Sequence, residues 1–191
     1  IEWVNPNFFE IIKNYSWPRY FFDIESVTQA VPIVPNTKPN DQFPFQYSVH
    51  KWEFEDQEVT LEDSKQFLEF NSENMDRKYL EKLIIDLGTD GPIFAHNALI
   101  EINALSFLVK RKNCIDLIHT IENIQSRIID TAKLFRENFY NVAMMGSYSL
   151  KDIIKILPNA SLYSSENNQV GDGGDAMIKW FQYTNSNTSN E

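Results

Sequence analysis

Alternation of apolar and polar side chains is the first regular feature along the chain. From Arg19 to Ser26 the stretch RYFFDIES puts Phe22 and Ile24 on one side of an extended strand and Asp23 and Glu25 on the other. FQYSVHKWEF (45–54) alternates in the same way and predicts a second strand, and a third falls between Glu58 and Phe70. The period then changes. Met75, Tyr79, Leu80, Leu83, Ile84 and Leu87 recur at helical spacing, with Ser72 as cap, Glu73 in the first turn and Gly88 as the stop. PIFAH (92–96) predicts a short buried strand that runs into a helix over NALIEINALSFLVKR, and residues 114–124 continue helical. SRIIDTAKLF gives a further strand ending near Asp130, SLKDIIKILP a helix stopped by Pro158, and DAMIKWFQY a last helix after GDGG.

Between these elements lie less regular stretches. Residues 1–18 hold a short amphipathic segment, NFFEIIKNY, expected to belong to the same domain. The proline-rich stretch 27–44 predicts an irregular loop, and residues 184–191 a polar, frayed tail. Three early strands on short connections should pair antiparallel, and the later strand–helix–strand portion should pair in parallel through right-handed crossovers. The expected fold class is therefore α/β, a mixed five-stranded sheet flanked by helices over residues 19–183. Reactive groups in such sheets gather at the carboxyl ends of strands near the reversal of strand order, where Asp23 and Glu25 would lie.

Composition narrows the class. With 191 residues, 42% hydrophobic and 14% aromatic, the chain has material for one folded domain with a core. Its net charge of −10 argues against a broad basic surface gripping nucleic acid, yet carboxylates that load divalent cations become a positive site. A lone cysteine, Cys114, excludes an internal disulfide; it fits a reducing, cytoplasmic setting and a small buried side chain at a helix end. No apolar run approaches the roughly 18 residues that span a bilayer, so no membrane partner is expected. The start at Ile1 suggests a piece of a longer protein.

Acid-x-acid spacing occurs at Asp23/Glu25, Glu53/Glu55 and Asp56/Glu58. Random placement of 27 acids in 191 residues gives about four such pairs, so spacing alone selects nothing. Context does. Only Asp23/Glu25 is embedded in apolar residues, whereas the other two pairs read as a solvated hairpin end. Glu101, in FAHNALIEINAL, shares its helix with an apolar stripe of Ala98, Ile102 and Leu105, and Asp175 opens the last helix in GDGGDAMIKWF. Taken singly, the first reads as an exposed helix position and the second as a favourable charge at a helix N-terminus.

Taken together these stretches resemble the DnaQ-like, or DEDD-superfamily, 3′–5′ exonucleases, which have a ribonuclease H-like fold. FDIES is similar to their first motif and AHNALIE to their second, with Glu101 where that acid is usually Asp. IIDTAKLF resembles the strand that brings Asp130 near the site, and GDGGDAMIKWF resembles the third motif. A closer resemblance is to an uncharacterised bacterial domain family often joined to a RecB-like nuclease module. It is carried by PFQYS with His50, by Asn97-x-x-x-Glu101, and by GSYSLK at 146–151.

The resemblance implies a two-metal site for Mg²⁺ or Mn²⁺. Asp23 would bridge the ions, Glu25 and Asp175 would complete one site, and Glu101, longer by a methylene, would hold the other. It also implies a single-stranded DNA or RNA 3′ end as substrate, with Asn97, Phe45 and Lys151 as candidate substrate contacts. Phe43 and Tyr47 share with Phe45 the alternative of core packing. His96 reads as a structural hydrogen-bonding partner. The family's water-orienting His or Tyr is missing, since those positions hold Val170 and Gly171. Asp172 is no obvious replacement, and Tyr148 and Lys151 are substitutes only by proximity. The competing expectation is therefore a nuclease-like domain that has lost catalysis and binds nucleic acid or scaffolds a neighbouring nuclease module.

Overall fold

In a computed structural model of the chain, residues 2–32, 34–58, 63–69, 74–156 and 177–182 are described. Its main sheet forms around β2 (Arg19–Thr28), which pairs antiparallel with β3 (Gln42–Trp52), and β3 pairs antiparallel with β4 (Lys65–Leu68). On its other side β2 runs parallel to β5 (Ile93–Ala95), and β5 parallel to β6 (Ile128–Asp130), so the order is β4-β3-β2-β5-β6. The expected α/β class and mixed five-stranded sheet are present.

Alternation in β2 sorts its two faces. Tyr20, Phe22 and Ile24 are buried while Phe21 and Asp23 are exposed. The buried face meets Tyr47 and Val49 of β3 and the apolar sides of three helices: α2 (Met75–Leu87), α3 (Leu99–Val109) and α4 (Ile118–Ser126). Leu80, Leu83 and Leu87 of α2, Leu105 and Leu108 of α3 and Ile121 of α4 all reach this core. Residues 177–182 are helical, and Trp180 packs against Phe45 there. The predicted periodicity of α2 holds, and Gly88 ends it at φ 57°. Asn74 directly precedes the helix; Ser72 and Glu73 lie outside the described residues.

Three features differ from the sequence expectation. The proline-rich stretch is strand at both ends, because β2 continues through Val27 and Thr28 and β3 begins at Gln42. A bulge makes this possible: Glu25 pairs with Gln46 but Ser26 pairs with Pro44, leaving Phe45 as the extra residue. Pro44, which has no N–H to donate, sits at that irregularity. The second difference is α5 (Thr131–Asn138), a helix where the sequence suggested only the end of a strand. The third is a small antiparallel pair, β1 (Glu2–Val4) with β7 (Phe139–Asn141), which ties the segment carrying α1 (Phe8–Lys13) to the stretch that follows α5. Phe139 belongs to a second apolar cluster with Met144 and with Ile153 of α6 (Leu150–Ile156).

Arg127 braces the start of β6. Its guanidinium donates to the carbonyls of Leu87, Gly88, Asp90 and Gly91 at 2.7–2.8 Å, so the turn between α2 and β5 closes around one side chain. Gly91 is required in that turn: φ is 82°, and a Cβ would stand 2.0 Å from the Pro18 carbonyl oxygen. No helix among the described residues is long and apolar enough to cross a membrane.

Candidate functional site

β2 runs on to Thr28, so Asp23 sits in the middle of that strand rather than at its end. The charges of Asp23 and of Asp130, at the end of β6, both act on Glu101 in the first turn of α3. Asp23 lies opposite Ser48 on the sheet face turned away from the core. It keeps contact with water, but the surrounding sheet desolvates the carboxylate and raises its pKa, against a backbone hydrogen bond at Ile24 and the nearby His96, which lower it. Glu25 is half-buried two residues further, beside the bulge that bends the strand.

Glu101 is the decisive member. In place of the exposed helix position its spacing allowed, it is 2% exposed in the first turn of α3, with Ala98 and Leu105 also buried. Its Oε2 is enclosed without a hydrogen-bond partner. Burial, with the negative charges of Asp23 and Asp130 adding to it, pushes its pKa up to about 7. Native structures rarely leave a buried carboxylate oxygen orphaned, and those that do call for a ligand, an ion or a proton.

Asp130 ends β6 and caps α5. Its Oδ1 accepts the backbone N–H groups of Ala132 at 2.9 Å, Lys133 at 3.3 Å and Asn97 at 3.2 Å. Asn97, exposed, takes φ 59° in the turn between β5 and α3, a left-handed conformation that asparagine tolerates. His96 is used structurally, as its position suggested. Its Nδ1 lies 2.9 Å from Thr131 Oγ1 and its Nε2 2.8 Å from the Tyr148 carbonyl oxygen.

Several expected contacts fall elsewhere. Phe45 is 2% exposed against Trp180, and Phe43 and Tyr47 are equally enclosed, so none of these rings is open to a base; the bulge turns them into core. The Tyr148 hydroxyl donates to the Phe139 carbonyl at 3.0 Å and the ring packs with the second cluster. Lys151 is exposed on α6. Asp175, Asp172, Val170 and Gly171 lie outside the described residues. The acids of the other two pairs, Glu53, Glu55, Asp56 and Glu58, are exposed, as a solvated hairpin end requires.

Two side chains near the site escaped the sequence reading. Thr131 holds His96, and Tyr79, counted only as an apolar position of α2, places a fully buried hydroxyl under the influence of Glu101 and Asp23. A tyrosine on a core stripe always poses the question of where its hydroxyl is satisfied.

Among the described residues no three His, Cys, Asp or Glu close into a metal-binding group. What they do form is an electrostatically frustrated set of oxygen donors, with one orphaned oxygen. Its chemistry suits a hard divalent cation better than a soft one.

A family model described as "Domain of unknown function (DUF2779)" matches residues 20–149. No curated protein matches the chain in sequence. A solved structure described as "Structure of yeast NOT1 MIF4G domain co-crystallized with CAF1" contains a chain of 13% identity and TM-score 0.45, over 95% of this chain and 83% of that one.

Proposed function

Since the chain belongs to the family described as domain of unknown function (DUF2779), whose description names no activity, we propose from the site itself a divalent-metal-dependent nuclease. In this reading the fold is ribonuclease H-like, and the reaction is 3′–5′ hydrolysis of single-stranded DNA or RNA. The observation that carries it is the buried, unpartnered Oε2 of Glu101 facing the charges of Asp23 and Asp130. The sheet order, three antiparallel strands continued by two parallel ones, supports the fold assignment.

Asp23 and Glu101 would hold Mg²⁺ or Mn²⁺, with Glu25 and Asp175 completing the set that the sequence motifs suggest. Such ions, when bound, activate water and neutralise the scissile phosphate. The remaining work falls to the chain. Asp130, fixed by three N–H groups, holds the turn carrying Asn97 against the first turn of α5 while adding negative charge beside Glu101. His96 pins the end of β5 to Tyr148 and so fixes the segment leading into α6. Without a cation, Glu101 carries a proton through the lower half of the physiological pH range. The Tyr148 hydroxyl is committed as a donor to the Phe139 carbonyl.

The test uses 5′-labelled single strands of DNA and RNA with Mn²⁺ or Mg²⁺. The wild type shortens them from the 3′ end and Asp23→Ala does not; equal traces would remove the nuclease reading. The engagement of Tyr148 favours a second reading, a domain without turnover that binds nucleic acid or scaffolds a fused RecB-like nuclease module. It would shift the labelled strand in a gel and leave its length unchanged.

A further inference from the structure

Phe21 of β2 and Trp52 of β3 lie open on the sheet face that carries Asp23. Strand parity puts them there. Phe21 precedes Asp23 by two residues, and Trp52 is the register partner of Arg19, two residues further back. The two rings meet at a centroid distance of 5.1 Å. Phe21 also stacks at 5.4 Å on Phe94 of β5, which Tyr15 supports edge-on at 5.2 Å. Backed in this way, Phe21 and Trp52 are held in place and are still 36% and 38% exposed. Phe43, Phe45 and Tyr47, on the opposite face or in the bulge, are buried.

A cation stands beside these rings. The guanidinium of Arg19 lies 4.0 Å over the Trp17 ring, and its Nη2 donates to the carbonyls of Tyr15 at 2.8 Å and Lys13 at 3.3 Å. Among the described residues Arg19 has no carboxylate partner, unlike Arg77 and Arg111, and its Nη1 donates to no acceptor. An arginine left unpaired in a chain of net charge −10, yet fixed in position, suits an incoming anion. The open area suits a small planar group better than a protein. At roughly 200 Å² per ring, the two expose on the order of 150 Å², against the roughly 800 Å² that each side of a stable protein interface buries.

We propose that Phe21 and Trp52 are a stacking platform for the bases of a single-stranded nucleic acid, with Arg19 holding a phosphate, so that the strand crosses this face toward Asp23. Two residues of extended chain, about 7 Å, separate Phe21 from Asp23, so a base on the ring brings its neighbouring phosphate toward the carboxylate. Every base has a π face, so the platform takes DNA and RNA without sequence preference. The proposal rests on reading this face as one that receives a single strand; whether the strand is then cut is a separate result.

Fluorescence anisotropy of 5′-labelled oligo(dT) and oligo(U), titrated with the metal-free protein in EDTA, tests the platform apart from cleavage. Phe21→Leu and Trp52→Leu keep apolar bulk and remove the π face, and each weakens binding about tenfold. Phe21→Tyr and Trp52→Phe restore it. Arg19→Gln lowers the slope of log affinity against log salt by about 0.7, the share of one phosphate on a single strand. Phe54→Leu, at an exposed ring just beyond β3, leaves binding unchanged. Equal affinity across the variants, each folded by circular dichroism, or no binding by the wild type, would overturn the proposal. So would a wild-type mass in light scattering that is twice the monomer and falls to the monomer in Trp52→Leu, since the face would then join two copies. A wild type that binds through these rings and leaves the strand uncut with Mn²⁺ upholds the platform and removes the nuclease reading. Strand shortening that is as fast in both leucine variants as in the wild type keeps the nuclease and removes the platform.

Discussion

Asp130 accepts the backbone N–H of Asn97 at 3.2 Å across the space between the turn after β5 and the start of α5. The same oxygen caps α5, so one carboxylate sets the relative position of two loops and raises the pKa of Glu101 between them. Structural and electrostatic roles therefore meet in one side chain, and substitution can separate them.

Asp130→Ala removes the acceptor of three N–H groups and should cost about 1–2 kcal/mol, the usual size for a lost cap. Asp130→Asn keeps a capping oxygen and should stay within a few tenths of a kcal/mol of wild type. It also deletes one of the charges acting on Glu101, so the Glu101 pKa should fall. Urea denaturation and a carboxyl titration by NMR check the two halves.

The stability of the metal-free protein should fall as pH rises through neutrality. Glu101 has a folded-state pKa of about 7 against an ordinary value of 4.5, so the native state binds this proton more tightly than the unfolded chain. Its contribution is complete below about pH 4.5 and is lost as pH rises through about 7. At 1.36 kcal/mol per pH unit the difference is roughly 3 kcal/mol. Glu101→Gln should flatten most of the slope measured by denaturation between pH 5 and 7.5. The raised pKa of Asp23 leaves a smaller slope of the same sign.

Arg127→Lys should destabilise the fold by about 3 kcal/mol, because one ammonium cannot reach four carbonyls fixed by a planar fork. Thermal denaturation measures the loss. A drop no larger than that of an exposed control such as Lys78→Arg would show that the turn holds without the clamp.

Sequence pattern carried much of this arrangement, for identifiable reasons. The alternation around Asp23 survives because β2 has one core face and one open face, so each residue's side follows from its parity. Helical spacing likewise located α2. Pattern failed where tertiary geometry overrides it. The bulge at Glu25/Ser26 buries Phe43, Pro44 and Phe45 in succession, which no two-residue period anticipates. The pairing of Trp3 with Tyr140 joins three-residue strands far apart in the sequence, too short to register locally. The helix α5 was readable: Asp130 followed by Thr131 and Ala132 is a cap signal, obscured by the apolar run before it. Glu101 was found only through its motif-like setting, since its spacing on α3 admits a solvent-facing position. Its burial follows from the tertiary packing of α3, which spacing does not encode.

Calorimetric titration of Mn²⁺ into the metal-free protein tests the central claim most directly. Saturable binding is predicted for the wild type, at least about tenfold weaker in Glu101→Gln and lost in Asp23→Asn, each variant retaining its fold by circular dichroism. Identical isotherms for the three proteins, or no heat with any of them, would contradict the account.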